Sequence, residues 1–93
     1  MKEIPRYPVL RGSIAYPASH RAAIESRLDV ALRNLGADVT ILDGWRLQFD
    51  GGWALVRFSG TEPKIRVLAE SRDDRRAKEI YSAVLSSAKG AAA

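Results

Sequence analysis

Trp45-Arg46-Leu47-Gln48-Phe49-Asp50-Gly51-Gly52-Trp53-Ala54-Leu55-Val56-Arg57-Phe58 is the stretch that decides the fold. Side chains alternate in period two on both sides of Asp50-Gly51-Gly52, so each arm reads as a half-buried strand. The Asp-Gly-Gly centre supplies residues that tolerate positive φ, as a tight hairpin requires. Working outward, Val39 to Leu42 and Lys64 to Ser71 carry the same period, and Asp43-Gly44 offers a second turn. The whole segment predicts antiparallel sheet.

Upstream, Ile24, Leu28, Leu32 and Leu35 recur at helical spacing. They lie between Ser19, a candidate N-cap, and Gly36, which stands where a left-handed C-terminal cap belongs. Downstream, Ala77, Ile80, Tyr81, Val84, Leu85 and Ala88 form an apolar helical stripe. Ser71, with Asp74 three residues on, resembles a capping box with the shorter carboxylate. Residues 9–16, closed by Pro17, read as a further strand. The order strand, helix, three or four strands, helix predicts an α+β fold, an antiparallel sheet of about four strands with two helices packed on one face. Residues 1–8, with Pro5 and Pro8, read as a lead-in or linker, residues 9–89 as one folded domain and residues 90–93 as a frayed tail.

Composition narrows the function classes. The chain has 93 residues, 46% of them hydrophobic and 28% charged, which suits a single small domain and excludes the disordered and low-complexity classes. It has no cysteine and one histidine, His20. Disulfide frameworks, thiolate metal sites, cysteine nucleophiles and multi-histidine centres are therefore excluded. No apolar run approaches the roughly 20 residues of a membrane span, and the first residues lack a signal-peptide core. A cytoplasmic protein without a membrane partner is the expectation. A net charge of +4 suits an anionic partner and is modest for a nucleic-acid binder.

The chemistry concentrates in Arg57-Phe58-Ser59-Gly60-Thr61-Glu62-Pro63-Lys64-Ile65-Arg66. A hairpin needs Gly or Pro, but it has no need of two hydroxyls between basic residues. Ser59 and Thr61 offer O–H donors, Gly60 lets successive N–H groups converge, and Pro63 sets the exit. Arg57, two residues before Ser59, is placed to reach across the loop mouth with a two-pronged guanidinium. Arg57, Lys64 and Arg66 against Glu62 leave +2 over this stretch, opposing a phosphate of roughly −1.5 to −2. By residue pattern alone an ordinary exposed hairpin remains an equal reading, since Ser, Gly, Thr and Pro are common turn residues. Lys64 and Arg66 share the strand face of Leu68 and Glu70, and either line a site or are solvated. Glu62 reads as a brace paired with a basic neighbour, because a lone carboxylate repels phosphate and has no proton partner here. His20 reads as surface or cap, and Trp45 and Trp53 as packing.

The run Gly52 to Glu70, above all Arg57-Phe58-Ser59-Gly60-Thr61-Glu62-Pro63, resembles the C-terminal, fourth domain of the α-D-phosphohexomutases, the phosphoglucomutase, phosphomannomutase and phosphoglucosamine mutase family. The Ile4-Pro5-Arg6-Tyr7 lead-in, the first helix, Asp43-Gly44 and Ala77-Lys78-Glu79-Ile80 share the resemblance, so it covers the domain 9–89. It implies a four-stranded sheet with two helices. It further implies a substrate-phosphate-binding set of Arg57, Ser59, Gly60 and Thr61, with Lys64 and Arg66 as secondary candidates. The implied partners are a phosphorylated hexose and the other domains of a phosphohexomutase. The phosphoserine loop, the aspartate-rich magnesium loop and the sugar loop of a complete mutase are absent from this sequence. No catalytic residue, metal ligand or cofactor is therefore assigned to this chain, and magnesium is expected only in the complete enzyme. Its expected role is to grip the non-reacting phosphate of a phosphomannomutase or phosphoglucomutase substrate, as an excised domain or a natural stand-alone relative. The alternative is a stand-alone phospho-ligand-binding or regulatory module that docks to separate mutase domains. A nucleic-acid-binding sheet is a weaker third reading, since paired stacking aromatics are missing.

Overall fold

The computed structural model describes residues 9–41 and 43–92. The expected lead-in 1–8, Leu42 at the end of a predicted strand, and Ala93 of the predicted tail lie outside the described residues. Elements follow in the order β1 (Val9–Ala15), a 3-10 turn (Ala18–His20), α1 (Arg21–Arg33), β2 (Asp38–Ile41), β3 (Trp45–Phe49), β4 (Gly52–Phe58), β5 (Lys64–Ser71) and α2 (Asp74–Ala92). The strands form one sheet, β1-β5-β4-β3-β2, antiparallel throughout. The α+β expectation holds, with five strands where about four were expected.

Alternation puts Trp45, Leu47, Ala54, Val56, Ile65, Val67 and Ala69 on one face, all buried. The helices supply Ile24, Leu28 and Leu32 from α1 and Ala77, Ile80, Val84 and Ala88 from α2. Helix α2 lies against β5, β1 and β4, while α1 packs beside α2. Burial of this two-layer core is the main favourable term for folding. Gly12 of β1 stands beneath the Tyr81 hydroxyl, where a methyl group would collide with it. No helix among the described residues covers the opposite sheet face.

Three local expectations are corrected. Ser19 falls within the 3-10 turn, so His20 takes the N-cap position of α1, without a side-chain cap bond. Asp73, not Ser71, caps α2, its carboxylate accepting the Arg75 N–H at 3.1 Å. The predicted frayed tail is helical through Ala92, because Ala91 is buried in the core cluster. Gly36, at φ +81°, takes the predicted left-handed conformation, but α1 ends at Arg33 with Asn34 as its C-cap, so Gly36 lies two residues beyond the cap rather than forming it.

Candidate functional site

β4 and β5 leave the core at the loop 59–63, whose backbone is closed by short hydrogen bonds. Ser59 N–H donates to the Lys64 carbonyl at 2.8 Å, Lys64 N–H to the Glu62 carbonyl at 2.8 Å, and Tyr16 N–H to the Pro63 carbonyl at 3.0 Å. The last of these ties the loop exit to the residue following β1. Ser59 is buried, at 7% exposure. Its Oγ accepts the N–H groups of Thr61 and Glu62, each at 3.3 Å, and lies 3.4 Å from Thr61 Oγ1. This is a hydroxyl-braced turn, with the Ser59 side chain turned inward as an acceptor. Gly60 and Thr61 stand exposed at its tip. Glu62 pairs loosely with Lys64, 3.9 Å apart, the bracing role its position suggests.

Of the expected set, Ser59, Gly60 and Thr61 come together in the loop, with the Ser59 hydroxyl braced against its neighbours. Arg57 and Arg66 come together elsewhere. They are register partners on adjacent strands, both exposed on the sheet face without helices, where the pleat directs every second residue. Arg57 makes no hydrogen bond with the loop. Instead Arg57 and Arg66 line a shallow depression of about 280 Å³, with Leu55 and Leu68 as its floor and Arg11 on its third side. Arg11 carries no sequence signal of its own. The pairing Arg11↔Leu68 that brings it here joins the first strand to the last.

A second concavity, of about 580 Å³, opens between α1 and the β2–β3 turn, at the same end of the sheet. The Arg21 guanidinium stacks over the Phe58 ring at 4.4 Å. The Trp45 indole N–H donates to Asp29 Oδ1 at 2.9 Å, and Arg33 Nε donates to both Asp29 oxygens at 3.1 Å. The indole N–H first, and then the guanidinium, hold the Asp29 carboxyl below its usual value. Trp45 is thus a core residue with its polar edge satisfied, whereas Trp53 lies half-buried on the open face under the Arg46 guanidinium, 4.7 Å from its ring centre. His20 is exposed. Among the described residues, no group of three or more His, Cys, Asp or Glu side chains is placed to hold a metal ion. No described helix is long and apolar enough to cross a membrane.

Fold and loop together define a small α+β module: a five-stranded antiparallel sheet, one face helical, with a hydroxyl-braced loop beside paired arginines. Residues 17–87 match the family described as phosphoglucomutase/phosphomannomutase, C-terminal domain, and the chain belongs to that family. It is 38% identical over 80 residues to a probable phosphoglucosamine mutase of Methanocella arvoryzae, a match covering 86% of this chain and 18% of that protein. To a phosphopentomutase of Thermococcus kodakarensis it is 36% identical over 86 residues, covering 87% of this chain and 19% of the relative. In fold it is similar to a phosphoglucomutase/phosphomannomutase family protein from Burkholderia thailandensis, with a TM-score of 0.70 at 22% identity, covering 94% of this chain and 18% of that one. The chain therefore spans less than a fifth of the length of these relatives.

Proposed function

We propose that this chain grips the phosphate of a sugar-phosphate substrate on behalf of a larger mutase, holding the non-reacting phosphate while chemistry proceeds elsewhere. The observation that carries the reading is that the strands entering and leaving the loop with the exposed Gly60–Thr61 tip carry Arg57 and Arg66 in register, with no acidic side chain among the described residues lining the depression they share. The Gly60 N–H, which unlike the Ser59, Thr61 and Glu62 N–H groups is not taken up within the turn, and the Thr61 hydroxyl supply directional donors, and the guanidiniums supply charge and a bidentate fork. Lys64, half neutralised by Glu62, contributes less. Binding energy realised at a remote phosphate orients the sugar at its reacting end, which is how a domain without a nucleophile serves catalysis. The relatives named as phosphoglucosamine mutases and a phosphopentomutase favour a sugar phosphate of the hexosamine or pentose kind alongside the hexoses. The described residues offer no ligand set for the magnesium expected in the complete enzyme, so no step is assigned to it here.

An amide chemical-shift titration of the 93-residue chain with inorganic phosphate, glucose 1-phosphate and glucose 6-phosphate tests this reading. The resonances of Gly60 and Thr61 are expected to move most, with roughly millimolar affinity, because the loop lacks the burial that other domains would add. Arg57→Ala should abolish the movement. Unmoved Ser59–Thr61 amides with all three ligands would refute the proposal.

A further inference from the structure

Arg11 shares its depression with two guanidiniums, and nothing in the fold accounts for the three being together. Arg57 and Arg66 are directly opposed across β4 and β5, an arrangement in which like charges repel and weaken the ladder. One strand further on, Arg11 pairs with Leu68, which in turn pairs with Leu55. The three guanidiniums thereby border one floor of Leu55 and Leu68, a hollow of about 280 Å³ with no carboxylate among the described residues of its lining. None of the three makes a hydrogen bond or ion pair with another described residue. Arg21, Arg33, Arg46 and Arg76 are each engaged, by Phe58, Asp29, Trp53 and the pair of Asp50 and Glu79, whereas Arg27 and Arg75 have no such partner among the described residues, so what sets the hollow apart is the gathering and register of its three. Free cations gathered in one hollow, two of them in a repulsive register, are what an anion site looks like before its anion arrives.

We propose that Arg11 is a third phosphate-binding residue, closing the Arg57–Arg66 pair into a three-guanidinium seat for a phosphate dianion on the open face of the sheet. This rests on the phosphate-binding reading above and assigns the charge of that site to the sheet, beyond the strand ends that carry the loop. A dianion between three forks accepts hydrogen bonds from each and cancels the Arg57–Arg66 repulsion. The apolar floor excludes water from one side of it.

The test uses the 93-residue chain with methyl-labelled leucine, titrated with inorganic phosphate and with glucose 1-phosphate, reading the Leu55 and Leu68 methyls together with the Gly60 and Thr61 amides. Arg46→Ala is the control, since it removes the same charge from the same face but lies outside the hollow, over Trp53. The expected result is that methyls and amides titrate together. Arg11→Ala should weaken the apparent affinity about fivefold, the scale of one exposed charge pair. Arg46→Ala should weaken it less than about twofold, and Arg11→Lys should fall between wild type and Arg11→Ala. Equal losses in Arg11→Ala and Arg46→Ala would reduce the effect to general charge and overturn the assignment. Amides that respond while the methyls stay still would also overturn it, yet leave the loop reading intact. Silence from both would remove the two proposals together. Arg11 is exposed, and unchanged amide spectra of the variants without ligand check that they fold.

Discussion

The two ends of β4 are built on opposite plans. At the Gly52 end, the strand turns through Asp50-Gly51 into β3, and the turn is sewn to the rest of the molecule. Ser71 Oγ donates to the Gly51 carbonyl at 2.6 Å, Arg76 Nε donates to the Asp50 carbonyl at 2.9 Å, and Gly51 takes φ +88°. Gly52 lies so close to α2 that an added methyl group would come within 2.6 Å of Ile80 Cδ1 and 2.7 Å of the Glu70 carbonyl. At the Phe58 end, loop 59–63 is held by its own serine, by backbone bonds at its base and by one backbone bond to Tyr16, while Arg57 and Arg66 make no hydrogen bond or ion pair with another described residue. One end spends its polar groups on the fold. The other keeps donors free, which a binding site needs and a structural turn does not.

Substitutions should therefore separate the ends by what they change. Gly52→Ala is expected to cost the most, about 2–3 kcal/mol in urea denaturation, because the Glu70 backbone cannot step aside and overpacking is transmitted to Ile80. Next, Ser71→Ala removes the donor to Gly51 and the acceptor of the Asp73 N–H at 3.2 Å, and should cost about 1–2 kcal/mol by the same assay. At the open end, Ser59→Ala should cost about 1 kcal/mol, with amide exchange accelerated at Thr61 and Glu62 and no change at Gly51. If exchange rose equally at both turns, the two ends would be one cooperative unit and the contrast would fail.

The smallest effect concerns Asp29, near the open end. Its carboxyl is lowered in the folded state, so its stabilising contribution is complete above the ordinary aspartate value and disappears as the pH falls through the lowered one. Wild type should lose an increment of stability on the acid side that Asp29→Asn does not lose, read by far-ultraviolet circular dichroism during urea titrations at successive pH values. A parallel acid profile in the two proteins would mean that the indole and Arg33 contacts carry no net charge preference.

The arms of the hairpin were legible because period two survives in Trp45–Phe49 and Gly52–Phe58 without interruption, and both helices because their apolar residues keep one face. The caps were not. Ser19 and Ser71 have the right chemistry for capping, but which N–H lies within reach is decided by the angle at which the chain enters the helix, and that angle is tertiary. In the loop, the residue types were visible while their division of labour was not. A serine hydroxyl braces a turn or meets a ligand by rotating one side chain, and only the structure shows that the Ser59 hydroxyl accepts the Thr61 and Glu62 N–H groups. Arg66 could be placed on a strand face by counting. Its register against Arg57 follows from the length of the loop between them. Arg11 was invisible, since nothing local announces that β1 will lie beside β5.

That last pairing also bears on how the molecule comes into being. β3, β4 and β5 are consecutive and joined by short turns, so their ladder closes early at little entropic cost. β1 must wait for β5, which comes only after α1 and three further strands. Its Gly12, fitted under Tyr81, then locks sheet to terminal helix. During synthesis the guanidinium it carries therefore joins Arg57 and Arg66 only after β5 has been made.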